Sequence, residues 1–267
     1  MLPLVLKDAY RLAISSESVE VARYLEFVQQ RIVALPFDRW QVLIEDSALR
    51  RAVRLRRAGH LLGSANVECD VAYPDGRARV VFSGDLGAPD NPLLRPVEPS
   101  ERADVLVLES TYGGRTHPDR SNRRQQLEQA IDRALVGRGT ILILAFSLGR
   151  TKDLLCEIEE ILHGKALLSE PAFKVRGDFP EWSRLPIILD SPLARCVTDV
   201  YRELHQYWRQ AAKDRMSQGH DPPSFRQLIS IDTHARHQQV VNYLKSVGRP
   251  AIVIAGNGMC FGGRIVN

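Results

Sequence analysis

The sequence predicts an α/β protein, on two observations. Residues 105–255 alternate short, fully apolar runs with amphipathic stretches of helical period, the pattern of a mainly parallel sheet with helices on its faces. Ahead of them, residues 65–82 change to the period-2 pattern of a β-hairpin. The length of 267 residues, with 44% hydrophobic and 25% charged side chains, allows one large or two ordinary domains. We place a boundary near residue 125, with one domain over 1–125 and a second over 126–267.

Along the chain, Leu2 to Leu12 reads as part of an ordered element. It has neither the charged start nor the cleavage site of a signal peptide. Glu17 to Val33 sets Val21, Tyr24, Leu25, Val28, Ile32 and Val33 on one helical face behind capping serines, and Leu35-Pro36-Phe37 breaks it. Ala65, Val67, Cys69 and Val71 alternate with Asn66, Glu68 and Asp70, which predicts a strand with its apolar side inward. Tyr73-Pro74-Asp75-Gly76 has turn chemistry, and Arg77 to Phe82 returns as the second strand. A proline-rich loop follows (Pro89, Pro92, Pro96, Pro99) and reads as irregular surface.

Four strands are then predicted, at Val105–Leu108, Ile141–Leu144, Ile187–Leu189 and Ala251–Ile254. Helices run from about Ser121 to Val136, through Leu154 to Leu162, through Leu193 to Trp208, and around Val240 to Leu244. Residues 167–184 read as irregular.

Net charge is +4, compatible with a polyanionic partner without requiring one. No run of eighteen apolar residues exists, so no membrane partner is expected. The four cysteines are widely spaced with no C-x-x-C pair, which fits a reducing cytoplasmic location.

Two places concentrate chemistry. If the hairpin turns at Pro74-Asp75, Ser64 stands opposite Asp85, and His60 and Asp85 leave the same open end in glycine-bearing loops. An imidazole and a carboxylate brought to one point are a plausible pair of Zn²⁺ ligands. A surface histidine beside a loop aspartate is the plainer alternative. The second place is the set of strand exits, where open α/β sheets bind ligands. These are Glu109-Ser-Thr-Tyr-Gly113, Phe146-Ser147-Leu-Gly-Arg150-Thr151, Asp190-Ser191-Pro192 and Gly256-Asn-Gly258 through Arg264. Each joins small residues to a charge or hydroxyl. Such loops hold phosphate oxygens, although Ser147 and Asp190 would also serve as ordinary helix caps.

These motifs carry a resemblance. A-G-H-x-x-G-S followed by S-G-D resembles two metal motifs of the metallo-β-lactamase fold. L-E-S-T-Y-G, A-F-S-L-G-R-T, L-D-S-P-L-A and G-N-G-M-C-x-G-G-R-I-V resemble, in order and separation, the β-CASP RNA-processing nucleases of that superfamily. The resemblance covers the chain from about residue 55 onward. It implies a partial metallo-β-lactamase αββα domain followed by a Rossmann-like β-CASP domain.

It further implies two zinc ions, with His60 as a ligand, Asp85 as a bridging ligand and catalytic residue, and Glu109 as the carboxylate that orients a proton-donating histidine. Ser64, Ser147, Arg150, Asp190, Ser191, Gly258 and Arg264 would meet RNA phosphates. The implied partner is RNA or another single-stranded nucleic acid, with a homodimer left open. The family's H-x-H-x-D-H string does not occur in the sequence, nor do its two late histidine motifs. The expectation is therefore an incomplete ribonuclease of low activity, with a catalytically inactive RNA-binding or scaffold homologue as the alternative. Among the other histidines, His117 is expected at a loop rim, His234 and His237 on a solvated surface, and His163, His205 and His220 without a special role.

Overall fold

The computed structural model describes residues 1–46, 48–116, 119–168, 182, 185–221, 225–247 and 250–256. They form two units. One spans Met1–Leu25, Pro118–Gln206 and Gln210–Asn267, and the other spans Glu26–His117 with Tyr207–Arg209. No helix among the described residues is long and apolar enough to cross a membrane.

The unit built on residues 26–117 is a five-stranded sheet, β1 Gln41–Glu45, β2 Arg50–Arg57, β3 Ala65–Tyr73, β4 Gly76–Phe82 and β5 Val105–Val107, paired in that order. The expected hairpin is β3–β4, with Tyr73 opposite Gly76 and Val67 opposite Phe82. Continuing that register sets Ser64 opposite Asp85, as the turn position requires. Sequence reading missed β1 and β2. Five of the eight residues of β2 are arginine, and its sequence, RRAVRLRR, masks the alternation.

Two expectations change here. The face of β3 that buries most completely is the polar one, with Asn66, Glu68 and Asp70 exposed by 4%, 0% and 2%. Arginines from the neighbouring strands explain the inversion. Arg54 Nε donates to Glu68 at 2.6 Å, and Arg77 and Arg79 both donate to Asp70, at 2.6 Å and 3.0 Å. Trp40 then lies under the guanidinium groups of Arg54 and Arg79. Carboxylates paired with guanidinium groups can be buried where isolated ones cannot. Val105–Val107, expected as a strand covered on both faces, instead joins this sheet parallel to β4, and its residues are about half exposed. The proline-rich loop is also less peripheral than its composition suggests. Leu93 and Leu94 are buried, and Asn91 caps both of their amides.

The second unit contains a four-stranded, all-parallel sheet in the order β6 Ile141–Leu144, β9 Ile252–Ala255, β7 Ile187–Asp190, β8 Leu228–Ser230. The fourth strand of this sheet is thus β8, which the sequence reading had not marked, rather than Val105–Leu108. The central strands β7 and β9 are buried at every residue, as continuous apolar runs demand.

One face of the sheet packs against Ile131 and Leu135 of α3 (Arg123–Val136) and Leu155, Ile158 and Leu162 of α4 (Arg150–Leu168). The other packs against Val240 and Leu244 of α7 (His234–Val247). Helix α5 (Pro192–Glu203) buries Ala194, Val197 and Tyr201 and meets α1 (Leu2–Ala13). Trp208 lies beyond the end of α5, not on its apolar stripe. Helices α2 (Ser18–Gln29) and α6 (Gln210–Ser217) complete the set.

Candidate active site and phosphate-binding exits

The hairpin's open end assembles the first group. Gly59 bridges to Leu86, and the Gly87 amide donates to Ala58 at 2.8 Å, so the loops after β2 and β4 run side by side. They approach so closely that a Cβ on Gly87 would stand 1.9 Å from the Gly59 carbonyl oxygen. Gly59 itself takes φ +69°, a region open to glycine at low cost. This contact holds His60 and Asp85 together, with Nε2 and Oδ2 4.0 Å apart and both side chains substantially exposed. Gly87→Ala should therefore push the two loops apart and lower stability by about 1–3 kcal/mol, measured by urea unfolding. An unchanged midpoint would contradict this packing.

Glu109 arrives through the parallel pairing of β4 and β5. The Ser83 amide donates to Val107, and the Ser83 hydroxyl accepts from the Glu109 amide at 3.0 Å. One Glu109 carboxylate oxygen accepts the Leu86 amide at 3.1 Å and the other the Thr111 amide at 3.2 Å. The Thr111 hydroxyl, these two amides and nearby His60 hold the carboxyl below its ordinary value. Glu109 is thus a fixed acceptor, ionised at neutral pH and committed to backbone donors. His60 and Asp85 remain as the donors open to a cation. Their 4.0 Å separation is close to the roughly 3.3 Å that tetrahedral zinc bonds of about 2.0–2.1 Å impose on adjacent ligand atoms. The pair fits one side of a zinc site. Among the described residues of this unit, His60 is the only histidine.

Ser64 belongs to the same loop. Its Oγ accepts the amides of His60 and Leu61, both at 3.1 Å, and so shapes the loop that presents His60.

The second group lies in the parallel-sheet unit. Because β9 sits between β6 and β7, three of the predicted exits converge. Ser147 and Ser191 share a hydrogen bond of 3.0 Å. A Cβ on Gly256 would stand 2.7 Å from the Ser147 Oγ and 3.1 Å from that of Ser191. Ser191 is also the N-cap of α5, accepting the Ala194 amide at 3.2 Å. Arg150, exposed, opens α4 just after Ser147. Gly258 and Arg264 lie outside the described residues, as does His117.

Asp190 does not cap α5. It is 5% exposed and takes the Nδ1 of His237, itself 3% exposed, at 2.5 Å. His237 is therefore a buried anchor, not the surface residue expected, while His234 next to it on α7 is exposed. Lys152 was also overlooked. It is 2% exposed, donates to the Ala194 carbonyl at 2.9 Å, and burial lowers its pKa to about 8. Its position one residue beyond the Arg150-Thr151 exit was the only available signal, and the sequence does not reveal that α4 turns it inward.

Residues 151–267 match the Beta-Casp domain family. Ribonuclease TTHA0252 of Thermus thermophilus is 33% identical over 79% of this chain and 43% of its own length. The transcription termination factor FttA of Methanothermobacter thermautotrophicus is 25% identical over 82% of this chain and 32% of its own. Cleavage and polyadenylation specificity factor subunit 3-I of Arabidopsis thaliana is 30% identical over 54% and 18%. The chain spans less than half the length of each of these relatives. The α/β architecture, the Beta-Casp match over residues 151–267 and these similarities are together consistent with the β-CASP nuclease branch of the metallo-β-lactamase superfamily.

Proposed function

We propose that this chain forms part of a zinc-dependent RNA phosphodiesterase. The observation that carries the reading is the meeting of His60, Asp85 and Glu109 at the open end of β3–β4. The names of its relatives, ribonuclease and endoribonuclease among them, support RNA as the substrate class.

In this reading His60 and Asp85 are the residues that hold the metal. Zinc, when bound, lowers the pKa of water and offsets charge on the phosphate. Glu109 keeps its negative charge below the usual carboxylate range, and in this reading the lone pairs its two backbone donors leave open orient an imidazole that protonates the leaving oxygen. The Ser147 and Ser191 hydroxyls, with Arg150 nearby, receive phosphate oxygens of the RNA strand. Asp190 supports this exit through His237 instead of touching the substrate.

Two donors do not complete a catalytic zinc centre, which takes three protein ligands and an open position. The 267-residue chain alone should therefore bind end-labelled single-stranded RNA, with affinity falling as salt rises, and cleave it only slowly. Asp85→Asn should remove what cleavage there is. Fast cleavage that survives this substitution, or no RNA binding at low salt, would overturn the proposal. Binding without any cleavage by the native gene product would instead favour a scaffold role.

A further inference from the structure

A second cluster of metal-ligand chemistry lies in the parallel-sheet unit, away from its strand exits. Glu159 and His163 are one helical turn apart on α4, so both project from the same face. His220 is brought to them by the end of α6. There Gly219 takes φ +94°, and the Gly219 and His220 amides bond back to Met216 and Arg215, a glycine-dependent helix stop. The turn sets the His220 Nδ1 at 3.0 Å and 3.1 Å from the two carboxylate oxygens of Glu159. The His163 and His220 rings pack with centroids 4.1 Å apart. One ligand atom from each of the three residues falls within 4.8 Å of the others.

The charge environment singles out Glu159. Within the same acidic run, Glu157 is held by Arg123 and Arg124, and Glu160 by Arg124 and Arg215. Glu159, only 6% exposed, turns instead to one imidazole nitrogen that serves both of its oxygens. A buried carboxylate shared with a single imidazole is poorly compensated, and a divalent cation would supply the missing charge. Two imidazoles and one carboxylate suit Zn²⁺ or a neighbouring first-row ion better than Mg²⁺ or Ca²⁺, which prefer oxygen.

We propose that Glu159, His163 and His220 form a zinc-class metal site that clamps the end of α6 to α4. Tetrahedral ligand atoms stand roughly 3.3 Å apart. The Glu159–His220 pair is already near that spacing, and exposed His163 closes on the ion by a small side-chain movement. His163 lies at the solvent edge, which leaves water for the fourth position.

The test is Co²⁺ titration of the full chain carrying His60→Ala and Asp85→Asn, which removes the hairpin donors. One equivalent should bind with the visible absorption of four- or five-coordinate cobalt, Zn²⁺ should displace it, and Zn²⁺ should raise the melting temperature. His163→Ala, at an exposed position, gives up its ring contact with His220 and should lower the metal-free melting temperature only slightly. It should weaken binding by more than ~100-fold, beyond the loss typical of an outer partner. Glu159→Gln keeps the side chain's shape without its charge and should lower affinity similarly. Absence of Co²⁺ binding up to millimolar concentration, or binding that survives either substitution, would overturn the site and leave an ordinary Glu159–His220 hydrogen bond.

Discussion

Asp190→Ala is expected to destabilise the parallel-sheet unit by about 1–3 kcal/mol, the range found when a buried polar group loses its hydrogen-bond partner. Asp190 ends β7, a strand with no exposed residue, and its carboxylate meets the His237 Nδ1 at 2.5 Å. Truncation leaves His237 without this acceptor in a site where it is 3% exposed. It also loosens α7 from the sheet at the point where the Ser191 cap begins α5. His237→Ala should cost a comparable amount. The double variant should cost less than the sum, because the second truncation removes the group that the first leaves stranded. Urea unfolding of the four proteins gives the result, and a loss under ~1 kcal/mol for Asp190→Ala would contradict it.

Lys152→Met should change how stability depends on alkaline pH. Burial lowers the folded-state pKa of Lys152 to about 8, while the unfolded chain keeps a value near 10.4. Below about pH 8 both states carry the proton, and the folded state bears the penalty of a buried ammonium. Between about pH 8 and 10.4 the folded chain has released a proton that the unfolded chain still binds, so stability rises with pH. The gain approaches about 3 kcal/mol. Lys152→Met has no such group, so the parent should gain about 2–3 kcal/mol on the variant between pH 7 and pH 10. Coinciding pH profiles would show that Lys152 keeps an ordinary environment.

Much of the architecture was legible because its signals were local. The turn chemistry of Tyr73 to Gly76 fixed the hairpin register, and that register placed His60 beside Asp85. The apolar runs at Ile141, Ile187 and Ile252 gave three parallel strands, whose exits met as open-sheet topology requires.

The missed features depend on partners distant in sequence. Asn66, Glu68 and Asp70 read as the wet side of β3, because what covers them comes from elsewhere: the Glu98 carbonyl for Asn66, and for the two carboxylates arginines of β2 and β4, two of which lie over Trp40. The arginine-rich β2 has no apolar alternation strong enough to announce a strand. Val105–Val107 has the composition of a central strand, yet its hydrogen-bond partner is β4. His237 and His220 looked polar and peripheral until the fold brought Asp190 and Glu159 to them across 47 and 61 residues.

We propose that His60 and Asp85 belong to a hydrolytic centre acting on RNA. The most direct measurement is the cleavage rate of end-labelled single-stranded RNA by the native gene product, with and without Asp85→Asn. Zinc-dependent cleavage should fall by roughly 10³-fold with Asp85→Asn, the scale on which one group stabilising developing charge acts, while RNA affinity holds. Cleavage unchanged by Asp85→Asn would contradict it.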